Sequence, residues 1–306
     1  MEQIGALLVD KPAGITSHDV VAKLRRALKQ KRIGHTGTLD PFATGLLIIC
    51  LGKATRLAQF LSGIDKEYEA VIRLGFSTDT QDYTGKPITP LISSDQLTIE
   101  NLRVILAQFV GQQWQLPPMF SAKKVAGEAL YRRARRGQVI TRQAVEIVIY
   151  QIELALDMPL LTINPDGTRD FTIRVSCSAG TYVRTLAHDL GERLGCGAHL
   201  AQLRRVRIGK FSIAQAATLN SLVELATAGK IAECIITPAE LVGDLPAVAL
   251  SPAEIVRVGQ GQAIAASDSG ANGWVRLLSP AGTLVAMAEE QKNATGGCWQ
   301  PRILMI

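Results

Sequence analysis

Residues 34–47 read Gly-His-Thr-Gly-Thr-Leu-Asp-Pro-Phe-Ala-Thr-Gly-Leu-Leu and set one carboxylate, Asp40, in a glycine-punctuated turn directly ahead of an apolar run. A carboxylate can serve as a nucleophile or a general base when the backbone around it is fixed. Pro41 fixes its own φ and drives Asp40 toward an extended conformation, while Gly34, Gly37 and Gly45 permit conformations closed to other residues. Leu46 to Leu51 form an apolar stretch expected to be a buried strand or a helix start, which anchors the turn to a core. Asp-Pro is also ordinary turn chemistry, so the segment alone leaves a structural and a catalytic reading open.

The elements that must position this turn follow from periodicity. Thr16 to Asp19 has the form of a capping box, and Val20, Val21, Leu24 and Leu28 then repeat at helical spacing, leaving the basic residues outward. Tyr68, Ala70, Ile72 and Leu74 alternate with Glu67, Glu69, Val71 and Arg73, and Phe171, Ile173, Val175 and Cys177 alternate likewise, so both segments are predicted strands. Leu102, Ile105, Leu106 and Phe109 mark a helix after Thr98, and Thr181 to Leu194 another, with Val183, Leu186, Ala187, Leu190 and Leu194 as its buried face. Arg184 falls just off that face in the first turn. Strands and helices interleave without strict βαβ alternation, so the expected class is α+β around a largely antiparallel sheet.

Pro117-Pro118-Met119-Phe120 ends regular structure, and residues 118–140 then read as an inserted arm; Ala122 to Gly137 carry Lys123, Lys124, Arg132, Arg133, Arg135 and Arg136 against Glu128 alone. A second basic cluster, Lys23, Arg25, Arg26, Lys29, Lys31 and Arg32, lies just before the Asp40 turn, and through residue 60 nine Lys and Arg face four Asp and Glu. Two such clusters flanking a candidate site are the footprint expected of a phosphate backbone. Glu240 to Pro246 reads as a linker, and the remainder as a small β-rich unit whose four acidic and four basic residues give no separate sign of binding a phosphate backbone. The expected division is residues 1–240, including the arm, and residues 247–306.

Composition bounds the class. The chain has 306 residues, a hydrophobic fraction of 47% and a net charge of +6, enough for a sizeable core and without the long apolar run of a membrane span. No basic n-region precedes the first apolar stretch, and the odd number of scattered cysteines, Cys50, Cys177, Cys196, Cys234 and Cys298, fits free thiols in a reducing compartment. A cytoplasmic protein is expected.

The Asp40 segment resembles the active-site motif of the TruB family of bacterial tRNA pseudouridine synthases. Leu8-Val9-Asp10-Lys11-Pro12-Ala13-Gly14, Lys66-Glu67-Tyr68, Ser178-Ala179-Gly180-Thr181-Tyr182-Val183-Arg184 and Leu203-Arg204-Arg205 resemble further family blocks in family order, together covering residues 7–210. The resemblance implies isomerisation of uridine 55 in the tRNA T-loop, with the base flipped into the site and Asp40 as nucleophile or base. It implies that Arg184 orients Asp40 through a planar two-bond contact, that Tyr68 and Tyr182 supply aromatic faces to the base, and that Tyr68 moves a proton at C5. Leu203 matches a residue lining the base pocket, His35 one that fills the gap left by the extruded base, and Lys11 one that supports the turn. The arm would close over the RNA loop, and the C-terminal unit would be a reduced PUA-like domain. The implied partner is the T-stem and loop of tRNA, with no obligatory protein partner and a monomeric state.

Other classes fail on particular residues. The His-x-Glu and Pro-Cys-x-x-Cys motifs of zinc deaminases are missing, Cys196 and His199 lack two further ligands, Leu47 stands where a P-loop needs glycine, and Gly259-x-Gly261 lacks the third glycine. No metal and no cofactor are expected. A catalytically silent RNA-binding module on the same fold remains an alternative, as do guide-RNA-dependent synthases, whose larger C-terminal domain the roughly sixty residues here would hardly accommodate.

Overall fold

In this computed structural model the described residues are all but 1, 122–123, 126–127, 137, 139, 159–160, 267–272 and 294–295. Strand β1 (Gly5–Lys11) leads into α1 (Ser17–Leu28), where the Thr16 hydroxyl accepts from the Asp19 amide and the Asp19 carboxylate accepts from the Thr16 amide, closing the capping box. Strands β2 (Ile33–His35) and β3 (Thr44–Leu51) bracket the Asp40 turn, followed by α2 (Ala58–Ser62) and β4 (Lys66–Leu74). Helix α3 (Ile99–Ala107) starts at the Thr98 cap and gives way to β5 (Gly111–Gln115). The arm contains a short hairpin, β6 (Lys124–Val125) and β7 (Glu128–Ala129), and then α4 (Leu130–Arg135). Next come β8 (Val145–Leu154), β9 (Thr162–Ile163), β10 (Arg169–Cys177), α5 (Val183–Leu194) and β11 (Ala198–Ile208). Strands β12 (Phe211–Ser212) and β13 (Ala217–Thr218) and helices α6 (Leu219–Thr227) and α7 (Pro238–Leu241) complete the first part. The second comprises β14 (Ala247–Ala249), α8 (Pro252–Gly259), β15 (Ile264–Ala265), β16 (Trp274–Leu278), β17 (Leu284–Asn293) and β18 (Gly296–Leu304).

The principal sheet runs β13-β1-β3-β11-β4-β10-β8-β5, with β2, β9 and β12 paired at its margins. Its pairings are antiparallel apart from β1 with β13 and β3 with β11, so the class is α+β with a largely antiparallel sheet. The C-terminal strands form a separate sheet in the order β14-β16-β17-β18-β15.

Cover on one or two faces explains the two kinds of strand pattern. Leu7, Val9, Leu47, Ile49 and Leu51 pack against α1 and α6, while Leu8, Leu46, Ile48 and Cys50 pack on the opposite face against Leu284, Met287 and Ile303 of the C-terminal sheet and Met305 just beyond it. Strands buried on both faces read as continuous apolar runs, which is why Leu46 to Leu51 do not alternate. Only one face of β4 is deeply buried, by α3, α5 and their neighbours, and β4 alternates accordingly.

Two expectations need correction. The segment around 240–246 is no free linker: Leu241 and Val242 are buried in the cluster shared with the C-terminal sheet, and Arg276 donates to the carbonyls of Leu245 and Ala239. Its polar and glycine content marks a turn between packed elements, and composition does not distinguish that from a tether. Of the three glycines around Asp40, Gly45 alone has a positive φ, at 102°. A Cβ on Gly45 would overlap the Arg205 carbonyl, because β3 and β11 pair there, whereas Gly34 has open space around it. Gly45→Ala is therefore expected to cost at least about 2 kcal/mol through strain and overlap. Urea unfolding measures this, and a midpoint equal to wild type would show that the close approach relaxes at no cost.

Candidate active site

The backbone of the Asp40 turn is held from three directions. From α1, the Ser17 hydroxyl accepts from the Leu39 amide at 2.9 Å and donates to the Leu39 carbonyl at 3.2 Å. From β1, the buried Lys11 ammonium donates to the carbonyls of Pro12 and Ile15 at 2.8 Å and of Pro41 at 3.3 Å, and the Gly14 amide also reaches Pro41 O at 2.8 Å. From β11, Arg205 is 1% exposed and donates to Leu46 O at 2.8 Å, Gly37 O at 3.1 Å and Thr38 O at 3.5 Å. Carbonyls turned inward by the turn are thereby satisfied by buried cations in place of water.

A cavity of about 300 Å³ opens beside the carboxylate, within the range that takes a small ligand. Asp40, Tyr68, Tyr182, Arg184 and Leu203 line it together, from the turn, β4, the start of α5 and β11. Arg184 grips Asp40 through two bonds, Nε to Oδ2 at 2.9 Å and Nη2 to Oδ1 at 3.2 Å, fixing the direction of the carboxylate as well as its charge. Arg184 is 4% exposed, more deeply placed than its position beside the helix's apolar face suggests. The covering comes from distant segments: Nη2 also reaches Phe120 O at 2.7 Å, and Nη1 reaches Thr80 O at 3.2 Å and Asp82 Oδ2 at 3.5 Å. Asp82 is itself buried and accepts from Thr80 and Thr84, while the preceding Gln81 adopts a left-handed φ of 63° that turns the loop there.

Burial pushes the Asp40 carboxyl above its ordinary range; Arg184 and Lys11 pull it back and Asp82 adds to the rise. Burial likewise raises the Tyr68 phenol, so that it stays protonated, and lowers Lys11 to about 8. Tyr182 caps α5 and is clamped by Gln115, whose side chain accepts from the Tyr182 amide at 2.7 Å and donates to its carbonyl at 3.0 Å.

Lys11 and His35 stand outside the cavity wall, Lys11 beneath the turn and His35 at the end of β2, edge-on to His18 with ring centroids 5.3 Å apart. Burial lowers His35 to about 4, so its ring is neutral at physiological pH. In the arm, Arg133 and Arg136 pair with Glu128 at 3.1 and 2.7 Å. Lys123 and the side chains of Lys124, Arg132 and Arg135 lie outside the described residues. Sequence reasoning passed over Lys66, Arg205 and Asp82. The first two sit within two residues of Tyr68 and Leu203 in segments already singled out; nothing in the chain pointed to Asp82.

The profile described as TruB family pseudouridylate synthase (N terminal domain) matches residues 25–183, more than half of the chain. The chain belongs to the TruB family. Two further profiles of that family match later stretches, the tRNA pseudouridylate synthase B C-terminal domain at residues 184–242 and the C-terminal unit of pseudouridine synthase II TruB at 246–295. The tRNA pseudouridine synthase B of Geobacter sulfurreducens is 45% identical over 84% of this TruB-family chain and 81% of its own. That of Thermobifida fusca is 42% identical over 95% and 96%. Among solved structures, one from a Cbf5-Nop10-Gar1 complex matches with a TM-score of 0.74 at 27% identity, covering 99% of this chain and 85% of the other. Another, from an H/ACA RNP bound to a substrate RNA containing 2′-deoxyuridine, gives 0.72 at 25% over 99% and 85%. Among the described residues, no helix is long and apolar enough to cross a membrane.

Proposed function

We propose that this TruB-family pseudouridine synthase isomerises uridine 55 in the T-loop of tRNA, with Asp40 as the reacting carboxylate. The observation that carries the assignment of Asp40 is its two-bond contact with Arg184 at the wall of a cavity of about 300 Å³. The reaction breaks the N1–C1′ bond, turns the base and joins C5 to C1′, with no net redox change. Asp40 either attacks C1′ or takes a proton from the sugar; in both routes it must be ionised, and Arg184 favours that form. Tyr68 and Tyr182 present rings to the flipped base, Tyr68 serves the proton at C5, and Leu203 fills the pocket against the base. Lys11 holds the turn, and His35 takes the place of the extruded base in the RNA loop.

The arm, through Lys123, Lys124, Arg132, Arg133, Arg135 and Arg136, contributes phosphate contacts. In α1 and the turn after it, Arg26, Lys29 and Lys31 form no salt bridge among the described residues and, with Lys23, which faces Asp19 one turn away, extend that basic surface. Residues 1–240 hold the chemistry, and residues 247–306 form a PUA-like support packed on β1 and β3. In this reading the protein works in the cytoplasm as a monomer without guide RNA; the tRNA substrate is supported by relatives at 40–50% identity named tRNA pseudouridine synthase B.

Incubating the protein with an unmodified tRNA transcript and mapping pseudouridine tests the assignment. A single product at position 55 is expected, lost when that uridine is replaced by cytidine. Product at other uridines only, or none, would overturn it.

A further inference from the structure

Lys66 lines the same cavity as Asp40 but takes no part in holding the turn. It precedes Tyr68 by two residues on β4, so both side chains leave the same face of the strand. Lys66 is 8% exposed, and its ammonium donates to the carbonyls of Ser62, at 2.8 Å, and Ile64. An ammonium carries three N–H donors, and the third has no protein acceptor among the described residues. Arg205, Cys177 and Asp65 are the titratable or charged groups around it, and burial lowers it to about 8, leaving it largely charged at pH 7.

The charge of the whole site is unbalanced in the same direction. Lys11, Lys66, Arg184 and Arg205 make four buried cations, against Asp40, the buried Asp82 and the exposed Asp65 beside Lys66. Arg184 is matched by those two acids, whereas no salt bridge joins Lys66 or Arg205 to an acid among the described residues. A buried site with surplus positive charge favours an anion, and uracil in RNA is neutral at pH 7. It becomes an anion when N1–C1′ breaks, because the bonding pair stays with the base and spreads over N1 and the carbonyl oxygens at C2 and C4. This holds whether Asp40 attacks C1′ or removes a sugar proton. The anion is consumed when C5 bonds to C1′, which releases Asp40 from C1′ in the first route or lets the sugar regain its proton in the second; the C5 proton then passes to a base and N1 takes up a proton, so the product base is neutral.

We infer that Lys66 is a catalytic residue that donates its remaining N–H to a carbonyl oxygen of the detached uracil. The contact strengthens as charge develops on the base, so it lowers the barrier to bond cleavage without tightening RNA binding. Arg205 adds its charge from behind the wall: three of its five N–H donors go to the carbonyls of Leu46, Thr38 and Gly37, and its guanidinium also bonds the Tyr68 phenol. The assignment rests on the isomerase reading of the site.

The test uses the full chain, an unmodified T-stem-loop and single-turnover conditions. Lys66→Gln keeps a donor for the Ser62 or Ile64 carbonyl and removes the charge; its rate is expected to fall on the order of a hundredfold, with the dissociation constant unchanged. Lys66→Arg should recover most of the rate. With 1′-deuterated uridine, the Gln variant should show a larger isotope effect than wild type, because bond cleavage has become the slowest step. A purely structural role would lower the melting temperature and leave the isotope effect unmoved. A Gln variant at the wild-type rate, or slowed with an unchanged isotope effect, overturns the role of Lys66. If that variant does not fold, Lys66→Arg decides against wild type above pH 8: the isotope effect should grow in wild type as Lys66 loses its proton and stay level in the Arg variant, and identical behaviour overturns the assignment. A wild-type chain that makes no pseudouridine under these conditions defeats the isomerase reading and this one together. An active wild type with an indifferent Gln variant defeats this one alone.

Discussion

Asp40→Asn is expected to abolish pseudouridine formation while leaving tRNA binding close to wild type. The amide has nearly the shape of the carboxylate, and the backbone bonds from Ser17, Lys11 and Arg205 that hold the turn do not involve the side chain. What is lost is a group able to attack C1′ or accept a proton, so no residual route through this residue remains. Affinity should persist because it comes from phosphate contacts and stacking over a wide surface. The measurement pairs product formed from an unmodified T-stem-loop with a dissociation constant at one stated salt concentration. Substantial product from the variant would remove Asp40 from the chemistry, and a wild type that binds without reacting would turn the protein into an RNA-folding module.

The next largest effect is expected at Arg184, where charge and geometry can be separated. Arg184→Lys retains a cation but loses the parallel bonds to Asp40 and the fork that also reaches Phe120 and Thr80. Turnover should fall on the order of a hundredfold or more, with a much smaller change in affinity. The pH profile then distinguishes direction from charge. In the proposed mechanism Asp40 must be deprotonated to act; burial already raises it, and Arg184 opposes that rise. The acid limb of the wild-type rate should therefore lie above the ordinary carboxylate range. Lys at position 184 should leave that limb nearly in place and lower the plateau; Arg184→Met, which removes the cation favouring the ionised form, should move the limb to higher pH as well. Coincident acid limbs in wild type and Arg184→Met would mean that the guanidinium does not govern Asp40.

Much of the framework was legible because local rules and packing agree. The box at Thr16, the alternation in β4 and β10 and the apolar stripe of α5 each report a period set by backbone geometry, and each element lies within a residue or two of where the pattern puts it. The family blocks also carried Asp40, Tyr68, Tyr182, Arg184 and Leu203, which the fold gathers around one cavity. The segment near 240–246 misled because a packed turn and a loose linker share the same polar and glycine composition, and only the partners of Leu241 and Val242 tell them apart.

The sequence by itself determined the kinds of element, their order, and a carboxylate held in a rigid turn, since these depend on residues close along the chain. Tertiary structure alone decided which charges share the site. Asp82 reaches Arg184 because the loop after β4 folds over the start of α5, and Lys66 and Arg205 meet at the cavity because β4 and β11 pair. Tertiary structure also decided that one glycine near Asp40, and not three, is constrained, because the requirement at Gly45 is imposed by Arg205 on a neighbouring strand. Contacts between residues more than a hundred positions apart leave no periodic trace. Burial, which raises the Asp40 carboxyl and lowers the Lys66 ammonium, exists only once those segments close around them.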